Sequence, residues 1–224
     1  MAKFEVEQSE GTRWVKVTLE KETVRAEKGA LNHFVGDIVM DVPLPRPRDI
    51  LVSLVSDESP LRPRYTGTGE LFLESTLGGF HIMELHEGES WVYSPGAYRA
   101  SESAIKLTIH RERLLTSFWA GEGLLYYQTA AHGNGKVVLT ARGPVEEMTL
   151  NGGRIVLDGN YVLARTRGIK FTVRWAAKTF FSHLLSGEGY ARVYEGTGRL
   201  LLCTTPYWRL RVQEGEFKDS VLAT

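Results

Sequence analysis

Cysteine is nearly missing from this sequence, since Cys203 is the only one among 224 residues. A single cysteine excludes a disulfide within the chain and a metal site made of several cysteines. Long apolar runs are missing too, because no stretch approaches the ~20 residues that a membrane-spanning helix needs. The first residues, Met1 to Glu7, lack the apolar core of a secretion signal. We therefore expect a soluble protein without a transmembrane segment, cytoplasmic in a prokaryote.

The sequence also lacks an excess of positive or of negative charge. Lys+Arg and Asp+Glu both number 27, so the formal net charge is zero. Proteins that bind nucleic acid usually carry a basic excess, so this balance disfavours nucleic acid as a partner. A neutral chain repels its own copies only weakly, which favours a homo-oligomer. The identity of any protein partner stays unknown, and peripheral membrane association stays open.

Glycine, in contrast, is abundant, and its placement is periodic. The chain has 23 glycines, and a motif of Gly-x-Gly, a charged residue and three apolar residues occurs at 67–73, 133–139 and 196–202. A second marker, centred on Gly29, Gly96 and Gly159, and a third at 121–123 and 187–189 keep nearly the same step. Sequence markers that recur with the same spacing predict internal repeats. We predict one domain, 1–224, made of three repeats at about 13–80, 81–145 and 146–213.

Between the glycines, apolar and polar residues alternate with a period of two. Val15, Val17 and Leu19 alternate with polar residues, and the same pattern occurs at 105–110, 169–174 and 208–213. This pattern predicts half-buried antiparallel strands, with the glycines in the turns between them. We therefore predict an all-β fold of the sandwich or jelly-roll type. Three similar antiparallel units would share one core around a pseudo-threefold axis.

Two segments depart from this alternation. Residues 48–55 follow three closely spaced prolines and place their apolar side chains on one side of a helix. They predict one short helix packed on a sheet. Residues 176–181 fit either a turn of helix or a continuing strand.

Several of these segments resemble the family of altered inheritance of mitochondria protein 24. The similar stretches are 94–100, 121–129 and 187–205, and the resemblance covers roughly residues 13 to 213. It implies β-sandwich units related in fold to the tryptophan RNA-binding attenuation protein (TRAP). The fungal relative is linked to organisation of the mitochondrial inner membrane. The resemblance implies no catalytic residue, and kinship of fold does not transfer function.

His81 and His86 are the strongest candidates for a metal site, in a segment that vaguely resembles the metal motif of cupins. Cupin histidines lie two residues apart on one strand face, whereas these are five apart and would face opposite sides of a strand. We favour a turn with ordinary surface histidines and expect no metal and no cofactor. A cupin-like, metal-dependent enzyme remains an alternative.

Other catalytic chemistry finds little support. The Gly-x-Gly motifs lack the third glycine and the following helix of a dinucleotide site, so turns are the favoured interpretation. Cys203 ends an apolar run, which predicts a buried side chain. The carboxylates beside turns or on polar strand faces are Glu70, Glu84, Glu87, Glu89, Glu122, Glu146, Glu147 and Glu188. We expect none of them to be catalytic.

Basic and aromatic residues offer two further hypotheses. Arg46, Arg48, Arg62 and Arg64, with Tyr65 nearby, could bind an anion or a nucleic-acid backbone. A solvated, proline-stiffened loop is the favoured interpretation. The five tryptophans, expected to be core or interface anchors, are Trp14, Trp91, Trp119, Trp175 and Trp208.

Taken together, these features predict a non-enzymatic scaffold or interaction protein that self-assembles. The first alternative is a module that binds a small ligand or RNA, by analogy with the attenuation protein. The second is the cupin-like enzyme.

Overall fold

The computed structural model describes residues 1–43, 62–76, 78–114, 124–175 and 190–204. These ranges contain fourteen strands and no helix, which confirms the predicted all-β class. In the same ranges there is accordingly no helix that could cross a membrane. The predicted helix at 48–55 and the ambiguous segment at 176–181 lie outside the described residues.

The strands follow one another with mostly short connections. In chain order they are β1 (Lys3–Ser9), β2 (Thr12–Ala26), β3 (Leu31–Asp41), β4 (Arg64–Thr76), β5 (Gly79–Leu85), β6 (Ser90–Tyr93), β7 (Tyr98–Glu102), β8 (Lys106–Leu114), β9 (Leu124–His132), β10 (Gly135–Ala141), β11 (Glu146–Asp158), β12 (Val162–Thr166), β13 (Ile169–Trp175) and β14 (Tyr190–Leu202).

The strands form two seven-stranded sheets, and the pairing within them is antiparallel. The first sheet has the order β3-β4-β2-β7-β10-β5, with β1 paired to β2. The second has the order β11-β14-β12-β6-β9-β8, with β13 paired to β14. The chain therefore passes from the first sheet to the second more than once, because β6, β8 and β9 alternate in sequence with β5, β7 and β10.

The predicted alternation accounts for the core of the first sheet. Val15, Val17 and Leu19 on β2 are at most 1 % exposed, as predicted.

The alternation predicted for β8 in the second sheet holds only in part. Ile105, just before β8, is also buried, but Ile109 further along that strand is 37 % exposed. The prediction was wrong for Ile109 because β8 is an outer strand, paired only with β9 among the described strands.

The two sheets share part of their apolar core. One buried cluster contains Tyr98 and Leu139 from the first sheet together with Trp91 and Leu201 from the second. Each is at most 2 % exposed. Burying a large apolar side chain contributes about 1.5–3 kcal/mol, so this cluster holds the sheets together.

The Gly-x-Gly motifs do not all form turns, and here the prediction was wrong. Gly67 and Gly69 lie inside β4 with φ of 150° and 153°. A Cβ at Gly67 would lie 1.9 Å from the carbonyl oxygen of Asp37, because the backbone of β3 passes this close. The motif at 196–198 likewise lies inside β14, whereas the one at 133–135 joins β9 to β10.

Candidate functional site

The outer strand β3 exposes more large apolar side chains than any other strand among the described residues. We call Phe34, Val35, Val39 and Met40 the β3 edge; they are 39 %, 61 %, 67 % and 51 % exposed. Within the described ranges β3 pairs only with β4. An edge strand with unpaired main-chain groups and exposed apolar side chains is a template for another strand.

The other long outer strand, β11, is less apolar. It pairs only with β14 among the described strands, and its exposed apolar residues, Met148 and Val156, lie far apart along it. Arg154 and Asp158 are exposed near Val156. β3 carries exposed charges as well, on Asp37 and Asp41. β11 is the weaker docking candidate because it exposes two large apolar side chains where β3 exposes four.

Three arginines gather where β2 and β4 run side by side, and we call Arg25, Arg62 and Arg64 the arginine cluster. Arg25 and Arg64 are direct partners in the β2–β4 register. The Arg25 Nη2 donates to the carbonyl oxygens of Ser103 and Ile105. Burial lowers the pKa of Arg25, and the nearby charges of Arg64 and Arg62 lower it further.

Arg62 connects the two sheets. Its guanidinium carbon lies 5.0 Å from the centre of the Tyr98 ring on β7. Its Nη2 donates to the Thr129 hydroxyl on β9 at 2.9 Å. The buried Tyr98 hydroxyl lies 3.0 Å from the Ser101 hydroxyl. The cation therefore rests on an aromatic face that the surrounding core holds in place.

The structure brings together only part of the basic group that the sequence suggested. Arg62 and Arg64 lie close to one another, whereas Arg46 and Arg48 lie outside the described residues. Tyr65 is 2 % exposed and belongs to the core, so it does not join the arginines.

A buried ionic network lies in the second sheet. Arg165 on β12 is 2 % exposed and forms an ion pair with Glu112 on β8. Its Nη1 donates to the carbonyl oxygen of Ile169 at 2.7 Å, and its Nη2 donates to the Gln128 side-chain oxygen at 3.1 Å. The Phe171 N–H donates to the same Glu112 carboxylate at 3.3 Å. These contacts link β8, β9, β12 and β13, which is a structural role.

A cavity of about 340 Å³ opens beside the turn between β6 and β7. Ser94, Gly96, Arg142, Asn160 and Cys203 contribute to its lining. Cys203 is 6 % exposed, which confirms its predicted burial, and this burial raises the pKa of its thiol. A thiol held neutral in this way is a poor nucleophile at neutral pH.

The two histidines of the suggested metal motif lie in different elements. The predicted surface turn was wrong for His81, because it lies inside β5 and is half-buried there. This burial lowers its pKa. His86 follows the end of β5, where its main-chain N–H donates to the Glu89 carboxylate at 3.1 Å. Across the described ranges no group of three His, Cys, Asp or Glu side chains is arranged to hold a metal.

Three of the glutamates considered above form ion pairs. Glu70 pairs with Lys16 at 2.6 Å, and Arg199 pairs with both Glu89 and Glu147. Glu122 and Glu188 lie outside the described residues.

The tryptophans have different environments. Trp91 is a core residue, 1 % exposed, and the Arg199 guanidinium lies over its ring at 5.0 Å. Trp14 is half-buried and donates to Glu7 at 2.9 Å. Trp119 and Trp208 lie outside the described residues, and the side chain of Trp175 is not described.

Comparison with known proteins decides the family. A model of the family described as mitochondrial biogenesis AIM24 matches residues 4–205. The chain belongs to this family. The resemblance in the sequence is thereby confirmed. The uncharacterized protein M6_Spy0233 of Streptococcus pyogenes serotype M6 is 26 % identical to this chain over 153 residues. The match spans 67 % of this chain but only 60 % of that protein.

A solved structure supports the fold of this AIM24 chain. The X-ray crystal structure of protein SPYM3_0169 from Streptococcus pyogenes matches with a TM-score of 0.70 and 21 % identity. The match covers 98 % of this chain and 100 % of the other. At this identity the likeness shows a common fold alone.

Sequence reasoning missed Arg25 and Thr129 of this AIM24 chain. Alternation along β2 places Arg25 on the polar face, where an arginine is unremarkable. Only the β2–β4 register brings Arg25 opposite Arg64, and only the approach of β9 brings Thr129 to Arg62. No local signal in the sequence marks either residue.

Proposed function

We propose that this AIM24-family chain is a non-enzymatic interaction protein that associates with copies of itself through the β3 edge. The observation that carries the proposal is the exposure of Val35, Val39 and Met40, each more than half exposed, on an outer strand. A second copy fits this edge because main-chain pairing needs no particular sequence and the neutral chain does not repel itself. In a prokaryote the assembly would be cytoplasmic.

The environments of the thiol and of the carboxylates that catalysis could use support the non-enzymatic part of the proposal. Cys203 is buried with a raised pKa, so no activated thiolate is offered. Glu70, Glu89 and Glu147 are engaged with cations on the surface. Carboxylates held in surface ion pairs have no reason to act as a matched acid and base.

The pairing of the strands supports the proposal of three repeated units. In each proposed unit the strand that contains or begins with part of a Gly-x-Gly motif lies between two other strands. β4 lies between β2 and β3, and β14 lies between β11 and the pair β12 and β13. In the middle unit, β10 lies between β5 and β7 while β9 lies between β6 and β8. A pseudo-threefold, TRAP-like arrangement would follow, with the middle unit divided between the two sheets.

Size measurement tests the self-association. We expect light scattering on a gel-filtration column to give the unchanged chain a mass above that of the monomer. Val39→Lys and Val35→Lys place a charge on the β3 edge and should shift the protein towards the monomer. The matched control is Val156→Lys on β11, which should leave the mass unchanged.

Two results would contradict the proposal. One is a monomer at every concentration that stays in solution. The other is dissociation by Val156→Lys but not by Val39→Lys, which would place the interface on β11.

A further inference from the structure

Arg25 and Arg64 place two positive charges directly opposite each other on neighbouring strands. Like charges in this position are destabilising, because their Cβ atoms are only about 4.5–5.5 Å apart. Asp41 is the register partner of Arg64 on its other side, on β3, yet the two form no ion pair. The side chain of Arg64 is exposed and forms no hydrogen bond or ion pair with another described side chain. Among the described residues only the cross-strand Asp41 can offset this charge, and the Arg64 guanidinium keeps exposed N–H donors for a ligand.

Arg25 carries its charge in a partly buried position. Its Nη2 is anchored on two main-chain carbonyl oxygens, those of Ser103 and Ile105, and its Nε is buried without a hydrogen-bond partner. No carboxylate among the described residues pairs with it. Carbonyl oxygens orient a guanidinium but do not cancel its charge, so Arg25 keeps a net positive field beside Arg64.

Arg62 adds a third cation at a fixed position. The Tyr98 ring and the Thr129 hydroxyl hold it, and its charge acts on Arg25. The charges of Arg62 and Arg64 thus both act on Arg25, and the Arg64 side chain is exposed to solvent.

We propose that the arginine cluster binds a small phosphate-type oxyanion, such as inorganic phosphate or a phosphomonoester group. A guanidinium presents parallel N–H donors that match two phosphate oxygens, and a doubly charged anion relieves the repulsion between Arg25 and Arg64. The site goes beyond the proposed self-association, because it lies at the start of β4 and needs no second copy.

Calorimetric titration of the full chain with inorganic phosphate, and separately with pyrophosphate, tests the site. Arg64→Gln should weaken binding about tenfold or more, which is about 1.4 kcal/mol. Arg64→Lys keeps the charge but loses the paired donors, so its affinity should fall between those of the unchanged chain and Arg64→Gln. The matched control is Arg154→Gln on β11, another exposed strand arginine, which should bind as the unchanged chain does.

A stability measurement gives an independent readout. Without anion, Arg64→Gln should melt at a higher temperature than the unchanged chain because the repulsion of Arg25 is relieved. Phosphate should raise the melting temperature of the unchanged chain and of Arg154→Gln, and should raise that of Arg64→Gln by less at the same phosphate concentration.

Three results would overturn the proposal. The first is that neither phosphate nor pyrophosphate binds the unchanged chain. The second is that Arg64→Gln binds these anions as tightly as the unchanged chain does. The third is that single-stranded RNA binds in an Arg64-dependent way while both small anions fail, which would assign the cluster to a polymer backbone. None of these depends on whether Val39→Lys dissociates an oligomer, so the two proposals fail separately.

Discussion

Glu112 on β8 and Arg165 on β12 form an ion pair with side chains only 15 % and 3 % exposed. Removing two charges from water is costly, and the pair offsets this cost only through its added hydrogen bonds. Those bonds are present, since Gln128 and the main chain of Ile169 and Phe171 complete the network. Loss of either partner would leave a buried charge uncompensated.

Arg165→Met should therefore destabilise the fold by about 3–5 kcal/mol, measured as the free energy of unfolding in urea. Arg154→Met, which removes an exposed strand arginine, should change it by less than about 0.5 kcal/mol. Combining Arg165→Met with Glu112→Gln should recover part of the loss, and the double-mutant cycle gives the coupling. Strictly additive losses would show that the pair does not act as a unit.

The second prediction concerns Gly67, where the backbone conformation and the neighbouring strand both exclude a side chain. Gly67→Ala places a Cβ 1.9 Å from the Asp37 carbonyl oxygen at φ of 150°. We expect a loss of more than about 1 kcal/mol, since the main chain of β3 must move. Gly88→Ala is the control, with positive φ but nothing within 4 Å, and should cost less. An equal loss in the two variants would mean that φ alone matters.

His81 makes the stability depend on pH. Burial lowers its pKa below the ordinary 6.5, and Glu147 opposes this shift only in part. The unfolded chain therefore binds a proton here that the folded chain does not, so stability increases with pH across this window. The contribution is fully present above pH 6.5 and is lost as the pH falls through the lowered folded value.

As the pH is lowered from about 7 to about 5, the urea concentration at the midpoint of unfolding should fall less steeply for His81→Gln than for the unchanged chain. His110, whose pKa is also lowered by burial and by Arg165 and Arg167, contributes in the same direction, so some slope should persist. Above pH 7 the curves of the variant and the unchanged chain should run parallel. An identical decline in both proteins would contradict the assignment to His81.

Cys203 should be unreactive in the folded chain. Its side chain is 6 % exposed and burial raises its pKa, so little thiolate is available. We expect a chromogenic disulfide that reacts with thiols to modify Cys203 slowly in native buffer. In denaturing urea the same reagent should react rapidly with one thiol per chain. A fast native reaction would show that the thiol is accessible and would weaken the non-enzymatic proposal.

Local patterns predicted the strands well and the glycines poorly. The alternation around Val17 and around Phe171 identifies strands because each residue's face depends only on its neighbours in sequence. The sequence predicts a turn at Gly67, since glycines with positive φ are most often found in turns. Its position inside β4 follows from the close approach of Asp37 on β3, a contact that no local pattern contains.

The candidate sites were less predictable than the fold. Arg62 and Arg64 drew attention as neighbours in sequence, but their partner Arg25 depends on the β2–β4 register. The β3 edge depends on which strands lie outermost, and the pair of Glu112 and Arg165 joins β8 to β12.

The amino-acid sequence by itself determined the all-β class, the apolar face of β2 and the membership of the AIM24 family, because period, composition and motif spacing are properties of the chain alone. The tertiary structure decided which strands are neighbours, and hence which charges meet and which apolar side chains stay exposed. The physical reason is that strand pairing joins main-chain groups common to all residues, so long-range register is set by the packing of the whole chain.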